Sequence, residues 1–377
     1  APDGSLYVAG ADDSDEDYSG VHRLGPVLPG DAWSTTLIAS DEGAEVYQFE
    51  EGRHTATLSA LTGATLYRFG YDGDGRLVTV TDADGNVTTV ERDGAGNPTA
   101  IVAPGGQRTE LTLDANGFLA SVANPAAETW QFAYSADGLL QTSTDPNGGI
   151  STYSYDGEGR LVENVDPAGG GQTLAKSEIE AGHQVTRTTA GGTVYTYASQ
   201  WFDDEILLTN EGCCGPESTS LAPDGTRTLH LVDGSTVTVS TGKDRNRFGG
   251  QAPYVDHLRL DTPGGHAFEM RRLVYSYLAD DSDPFSMTER TDNLQLPTAS
   301  GSWGTFSRRY DASTGEETLT TPEGRTAVTT YDSRGRVVRR QLGSLAPVAT
   351  TYDAAGRVAS VTAGEGADAR TYAFTYH

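Results

Sequence analysis

The densest potential chemistry in this 377-residue chain lies in turns that alternate carboxylates with glycine. Asp72, Asp74, Asp82 and Asp84 mark two such turns, and oxygen donors crowded around glycine are what a calcium loop uses. An EF-hand loop also requires D-x-[DN]-x-[DN]-G and a glutamate at its twelfth position. Asp82-Ala83-Asp84-Gly85-Asn86 holds only a fragment of that pattern. Two denser acidic groups are separate candidates for calcium against a solvated-loop reading: Asp12, Asp13, Asp15, Glu16 and Asp17, then Asp280, Asp281 and Asp283. No other cofactor is expected. Cys213 and Cys214 are the chain's only cysteines, too few for a zinc site. As neighbours they can form a vicinal disulfide, strained because adjacent Cα atoms lie only ~3.8 Å apart. Flanked by Gly212 and Gly215, the pair reads as a rigid loop ahead of a redox site, compatible with an oxidising, extracytoplasmic setting. The seven histidines show no HExxH spacing, and the chain has no GxSxG elbow or phosphate loop. No catalysis is expected.

Stepping along the chain, the turns prove periodic. Units begin at Tyr71, Arg92, Leu113, Tyr134 and Tyr155, and again at Tyr310, Tyr331 and Tyr352, with a constant step of 21 within each array. In the first array the fifth position is always glycine (Gly75, Gly96, Gly117, Gly138, Gly159), with Asp or Ser three residues earlier. Gly335 and Gly356 hold the same place in the second. Glycine there signals a turn with positive φ. About ten residues on comes a second turn, written Asp-Ala-Asp-Gly, Ala-Pro-Gly-Gly, Asn-Pro-Ala-Ala, Asp-Pro-Asn-Gly and Asp-Pro-Ala-Gly. The repeats drop the carboxylates and keep the turn, which favours turn chemistry over metal binding. Between turns lie Val-, Thr- and aromatic-rich segments, so each unit supplies two strands of an antiparallel all-β protein. Apolar residues two apart span the unit boundaries, as in Val90, Leu111-Leu113, Phe132-Tyr134 and Tyr153-Tyr155, and predict one stripe of large side chains on one face. The register aromatics Tyr71, Tyr134, Tyr155, Tyr310, Tyr331 and Tyr352 are therefore packing residues. Trp130, Trp201 and Trp303 fall at irregular positions and suggest loop contacts. Five units give about ten strands, roughly 48 Å of sheet, which must curl or be covered. "KSEIEAGHQ" near residue 180 is the best helix candidate, and it lacks an amphipathic period.

This divides the chain into residues 1–30, which look like the end of a propeller-type blade (PDGxLYVA before HRL), and a lead-in at 31–70. Regular repeats follow at 71–175, degenerate β repeats with long loops at 176–305, and regular repeats again at 306–377. The 26 basic against 53 acidic residues give a net charge of −27, which repels nucleic acid and anionic membrane over most of the surface. No apolar run approaches the ~18 residues a membrane helix needs. No charged-then-apolar leader follows Ala1, so the sequence reads as a processed protein or an excerpt of a longer one.

The stretches "YDGDGRLVTVTDADGN", "YDGEGRLVENVDPAGG", "YDSRGRVVRR" and "YDAAGRVASVT" resemble the RHS/YD-repeat family, strongly over about residues 60–175 and 308–377. The resemblance implies a long β-sheet spiralling into a hollow shell, as in bacterial polymorphic toxins, insecticidal toxin complexes and teneurin adhesion receptors. On that basis the chain is expected to be a non-catalytic segment of a secreted or cell-surface bacterial protein, walling in or presenting another segment of the same long protein. No toxin-type closing motif for self-cleavage stands in the chain; Asp145-Pro146 and Asp166-Pro167 occupy the regular second turn. The alternatives are a surface recognition module binding a protein or glycan and, more remotely, an extracellular polysaccharide-acting enzyme.

Overall fold

The computed structural model describes residues 6–10, 20–24, 35–40, 43–212, 215–244, 246–281, 283–298 and 301–376. Strands Leu6–Gly10 and Gly20–Leu24 pair with each other as a separate two-stranded ladder. From Thr35–Ala39 to Arg370–Ala373, thirty strands form one antiparallel sheet in which each pairs with its successor in sequence. Among the described residues no ladder joins the last strand to the first, so the sheet stays open. One 3-10 turn, Gly366–Asp368, interrupts the pattern.

The hairpins form because of their turn chemistry. In the turn after Thr65–Tyr71, the Gly75 N–H donates to the Asp72 carbonyl, and the Asp72 N–H donates to the Arg76 carbonyl. This is a type I turn closed by a glycine bulge, the three-residue loop that suits twisted strands. The Asp72 carboxylate oxygen Oδ1 locks it by accepting from the N–H groups of Asp74 and Arg76. Asp93, Asp114, Asp156, Asp332 and Asp353 do the same in their units, as do Asp82, Asn124, Asp145 and Asp166 in the second turns. The first and second turns of every unit thus line opposite rims of the sheet. A register shift precedes the register residue in each regular unit, between Gly70/Tyr71, Glu91/Arg92, Thr112/Leu113, Ala133/Tyr134 and Ser154/Tyr155, and again at Tyr331 and Tyr352. Such bulges bend a strand and raise its twist, so one per unit curls the sheet steadily.

Strand alternation splits the two faces. Phe69, Val80, Val90, Leu111, Val122, Phe132 and Tyr153 share one face by alternation along the strands and pairing across them, as in Phe69–Val80 and Leu111–Val122, and all are partly buried. Arg68, Glu91, Glu110 and Gln131 stand exposed on the other. "KSEIEAGHQ" is not helical. It forms strands Gly171–Ile179 and Gly182–Thr189, joined at Glu180-Ala181 with Ala181 at φ 57°. The β propensity of its neighbours and an available tight turn outweigh a local composition that would tolerate helix. The middle keeps the meander with longer strands, up to the 13 residues of Gly249–Asp261.

The wall is one layer thick. Its accessible surface is 23655 Å², whereas a compact globule of this mass would expose about 14,000 Å². Fully buried apolar side chains are few, and apart from Ala100 they fall in residues 39–64 and 252–310 (Ala39, Val46, Ala56, Ala60, Ala64, Ala252, Val274, Met287, Tyr310). These two stretches are distant in sequence, and the core lies where they meet.

Candidate functional site

Three features carry the architecture: a ladder along one rim, a seam, and a cavity beside the seam. In the ladder, register residues reach back to the preceding unit. The hydroxyl of Tyr155 donates to the Leu140 carbonyl at 2.9 Å, and that of Tyr352 donates to the Val337 carbonyl at 2.8 Å. Tyr71 reaches the His54 carbonyl at 2.8 Å, while Tyr134 packs its ring on Phe118 at 5.3 Å. Tyr331 donates to the Glu317 carboxylate at 3.3 Å, and Tyr310 is buried against the Tyr331 ring at 6.3 Å. Where the second unit has Arg92 in place of tyrosine, its guanidinium takes over the tyrosine's bond, donating to the Leu77 carbonyl at 3.0 Å. Its Nε is buried with no partner.

The arginine that follows the turn glycine belongs to the same ladder. Arg336 lies 4.3 Å over the Tyr352 ring and Arg357 lies 4.3 Å over the Tyr376 ring, each one unit ahead. A guanidinium there gains from the ring quadrupole. Arg336 and Arg357 also hold Asp332 and Asp353 of their own turns; Arg76 and Arg160, with no tyrosine at that place in the next unit, keep only such own-turn contacts, at Asp74 (2.6 Å) and Asp156 (2.8 Å). Sequence reading passed over this arginine although it recurs at one repeat position; its partner lies one unit away, outside its own motif. The turn glycines Gly75, Gly96, Gly117, Gly138, Gly159, Gly335 and Gly356 all adopt φ between 75° and 86°. At Gly96 the Arg76 guanidinium also occupies the space a Cβ would need, 1.6 Å from its ideal position.

The carboxylates of the turns are committed to these hydrogen bonds. The Arg76 N–H holds the Asp72 carboxyl below its ordinary range, and the Asn97 N–H and Arg160 N–H do the same for Asp93 and Asp156. In the acidic loop of Asp280, Asp281 and Asp283, Asp283 accepts from the Phe285 N–H at 2.8 Å. The cluster of Asp12, Asp13, Asp15, Glu16 and Asp17 lies outside the described residues, as does the pair Cys213–Cys214; the flanking Gly212 and Gly215 face each other as a pair at the hairpin end. Trp130, Trp201 and Trp303 stand within strands, not loops, partly exposed, with Trp303 beneath the Arg271 guanidinium at 4.7 Å and Trp201 beside the His183 ring.

The seam is where the sheet returns on itself. Asp84, in a second turn, accepts from Arg334 Nη1 and Arg336 Nη1, both at 2.5 Å, and its side chain is only 13% exposed. Asn86 Nδ2 donates to the Ala355 carbonyl at 3.0 Å. Asp84 also fills the space a Cβ on Gly356 would enter, and Thr62 does so at Gly335. Arg247 extends the seam, donating to the carbonyls of Ala60 and Pro284 and stacking on Phe248. Second turns of the first coil therefore dock on first turns of the last coil. Twenty-one strands separate the turn at Asp84 from the turn at Arg334. At ~4.8 Å per strand this is a perimeter of about 100 Å and a diameter of about 30 Å.

Beside the seam lies a cavity of about 500 Å³ lined by Ala44, Ala60 and Leu61 from the first coil and by the later strands. Four arginines line it. Arg272 makes a paired contact to Asp292 (2.8 and 2.6 Å), Arg308 lies 3.6 Å from Glu317, and Arg247 is bound to carbonyls. Burial pulls the Arg247 guanidinium down to about 10 and pushes the Asp244 carboxyl up.

The sequence model of the Teneurin YD-shell family matches residues 34–375. The chain belongs to that family. Among curated relatives, mouse (Mus musculus) Teneurin-3 is 35% identical over 94 residues, covering 25% of this YD-shell chain and 3% of its own length. Chicken (Gallus gallus) Teneurin-1 is 40% identical over 62 residues, covering 16% and 2% respectively. The YD-shell chain thus spans a few per cent of the length of these relatives. Solved structures similar to it include the TcdB2-TccC3-TEV crystal structure (11% identity, 90% of this chain and 20% of that one, TM-score 0.36). A second is the Photorhabdus luminescens Tc holotoxin pore (12% identity, 91% and 22%, TM-score 0.36).

Proposed function

We propose that this chain is a non-catalytic wall segment of a secreted or cell-surface bacterial RHS/YD-repeat protein, and that its packed face lines a space holding another segment of the same protein. The observation that carries the reading is the seam: turns some 250 residues apart bind each other, so a single-layer sheet completes one revolution without a closing ladder. The turn glycines and register tyrosines act geometrically, and a lead-in at 31–70 runs into the wall of 71–175, 176–305 and 306–377; the propeller-like reading of residues 1–30 falls mostly outside the described residues. The test is protection. A protease-sensitive reporter segment fused after His377 is expected to survive limited proteolysis while the wall is intact and to be cut at the rate of the free segment after Asp84→Ala; equal cutting in both rejects enclosure. A second reading, surface recognition, is favoured by Tyr277 and Trp303, which stand exposed on the face opposite the packed one. Binding of the chain to intact cells, lost on Tyr277→Ala with Trp303→Ala, would support it.

A further inference from the structure

Among the described residues, the Arg290 guanidinium and the Asp244 Oδ1 atom in the seam cavity are left without partners. Arg290 has no carboxylate within 4.0 Å among the described residues, although acids outnumber bases two to one in this chain and the other three lining arginines are all engaged. Asp244 is only 7% exposed, and its Oδ1 accepts no hydrogen bond. A buried acceptor without a donor is costly, and native folds rarely leave one empty. Asp244 and Arg290 line the same cavity without forming an ion pair, and the charges of Arg247 and then Arg290 partly offset the burial that raises Asp244. A molecule seated between them needs an anion for Arg290 and a donor for Asp244.

We propose that this cavity captures the C-terminal carboxylate of a peptide, with the carboxylate on Arg290 and the adjacent backbone N–H donating to Asp244 Oδ1. A chain end offers these two groups next to each other in one rigid geometry, and such carboxylates are a recurring recognition target. The donor is a neutral N–H rather than an ammonium, because four arginines line the cavity against three carboxylates and leave no net negative charge to hold a second cation. Leu61, Phe248, Val255 and Val274 supply the apolar wall for the terminal side chain. Because the first coil contributes Ala44, Ala60 and Leu61, the site exists only when the seam is closed, and occupation fastens it.

The experiment titrates the intact chain with N-acetyl-Ala-Leu bearing a free carboxylate, its C-terminal amide, and acetate, read by calorimetry and melting temperature. Saturable binding of the acid is expected, with the amide and acetate each weaker by about tenfold or more. Arg290→Gln and Asp244→Ala are each expected to weaken the acid by about tenfold or more, with far-UV circular dichroism unchanged, while Arg271→Gln on the opposite face leaves it unaltered. Equal binding of acid and amide, acetate binding as tightly as the peptide, no binding of the acid, or undiminished binding in Arg290→Gln would each overturn the proposal.

Discussion

If the seam is held by Asp84, removing that one carboxylate should release contacts between residues 250 positions apart while leaving every hairpin intact. Asp84 accepts from two guanidinium groups, each at 2.5 Å, from a site that is 13% exposed. The two bonds are unequal. Arg334 is 45% exposed, so its pair is screened and contributes well under about 1 kcal/mol. Arg336 is half as exposed, and a charge-assisted bond in that setting contributes about 1.5–3 kcal/mol. Arg336 keeps Asp332 at 2.8 Å after the change, so no orphaned charge is added. Asp84→Ala should therefore cost about 2–3 kcal/mol. Spread over the unfolding entropy of a chain of this size, about 0.8 kcal/mol/K, that is a fall of about 3–4 °C in melting temperature if the wall melts as one unit. Hydrogen exchange is the sharper assay, because opening the seam is a local event. Exchange should rise at 82–86, 332–336 and 353–357 and stay unchanged at the chemically similar turns 145–149 and 156–160. A double-mutant cycle of Asp84→Ala with Arg336→Ala should return a coupling of about 1.5–2 kcal/mol. A cost below about 0.5 kcal/mol, with protection unchanged at both rims, would show that the clamp does not hold the coil.

The turns and the ladder give further expectations. Ala127 sits at φ 63° where other second turns place glycine, so Ala127→Gly should stabilise by about 0.5–1 kcal/mol in chemical denaturation, and Gly148→Ala, at φ 86° in open space, should destabilise by about 1–2 kcal/mol. Arg92→Tyr removes a buried unpaired Nε, restores the register hydroxyl towards Leu77 and gives Arg76 a ring to cover; stability should rise by about 1 kcal/mol, and a loss of that size instead would contradict the ladder. Asp72, Asp93 and Asp156 titrate below their ordinary range in the folded state, so their contribution is present above about pH 4 and is lost as pH falls through the folded values. Asp244 runs the other way: burial raises it, so its contribution is present below about pH 4 and is lost as pH rises through its folded value. Asp244→Asn should accordingly gain stability near neutrality and none in acid, which a melting-temperature series against pH will read.

Much of the wall was legible in the letters because its instructions are local. A D-x-x-G turn is closed by bonds spanning four residues, and positive φ at Gly75 or Gly159 depends on nothing beyond its own backbone. Strand alternation then sorts Phe132 and Tyr153 to one face and Gln131 to the other, whatever the rest of the chain does. Arg92 shows where local reading stops. Its letter departs from the tyrosine of other units, yet its guanidinium keeps the tyrosine's bond to the preceding unit. The tryptophans were misplaced into loops for a related reason, since a single residue outside the repeat has no register to compare with.

The sequence by itself determined the hairpins, their 21-residue period, the two faces and the necessity of a curl. Tertiary structure alone decided that the curl comes round after twenty-one strands, that Asp84 meets Arg334 and Arg336, and that Asp244 and Arg290 share a cavity beneath the crossing. The physical reason is accumulation. Each bulge and each pair of twisted strands adds a small rotation, and only the sum over a whole coil fixes which turn arrives opposite which. A carboxylate that reads as one more turn residue in "TDADGN" thereby becomes the fastening of the shell.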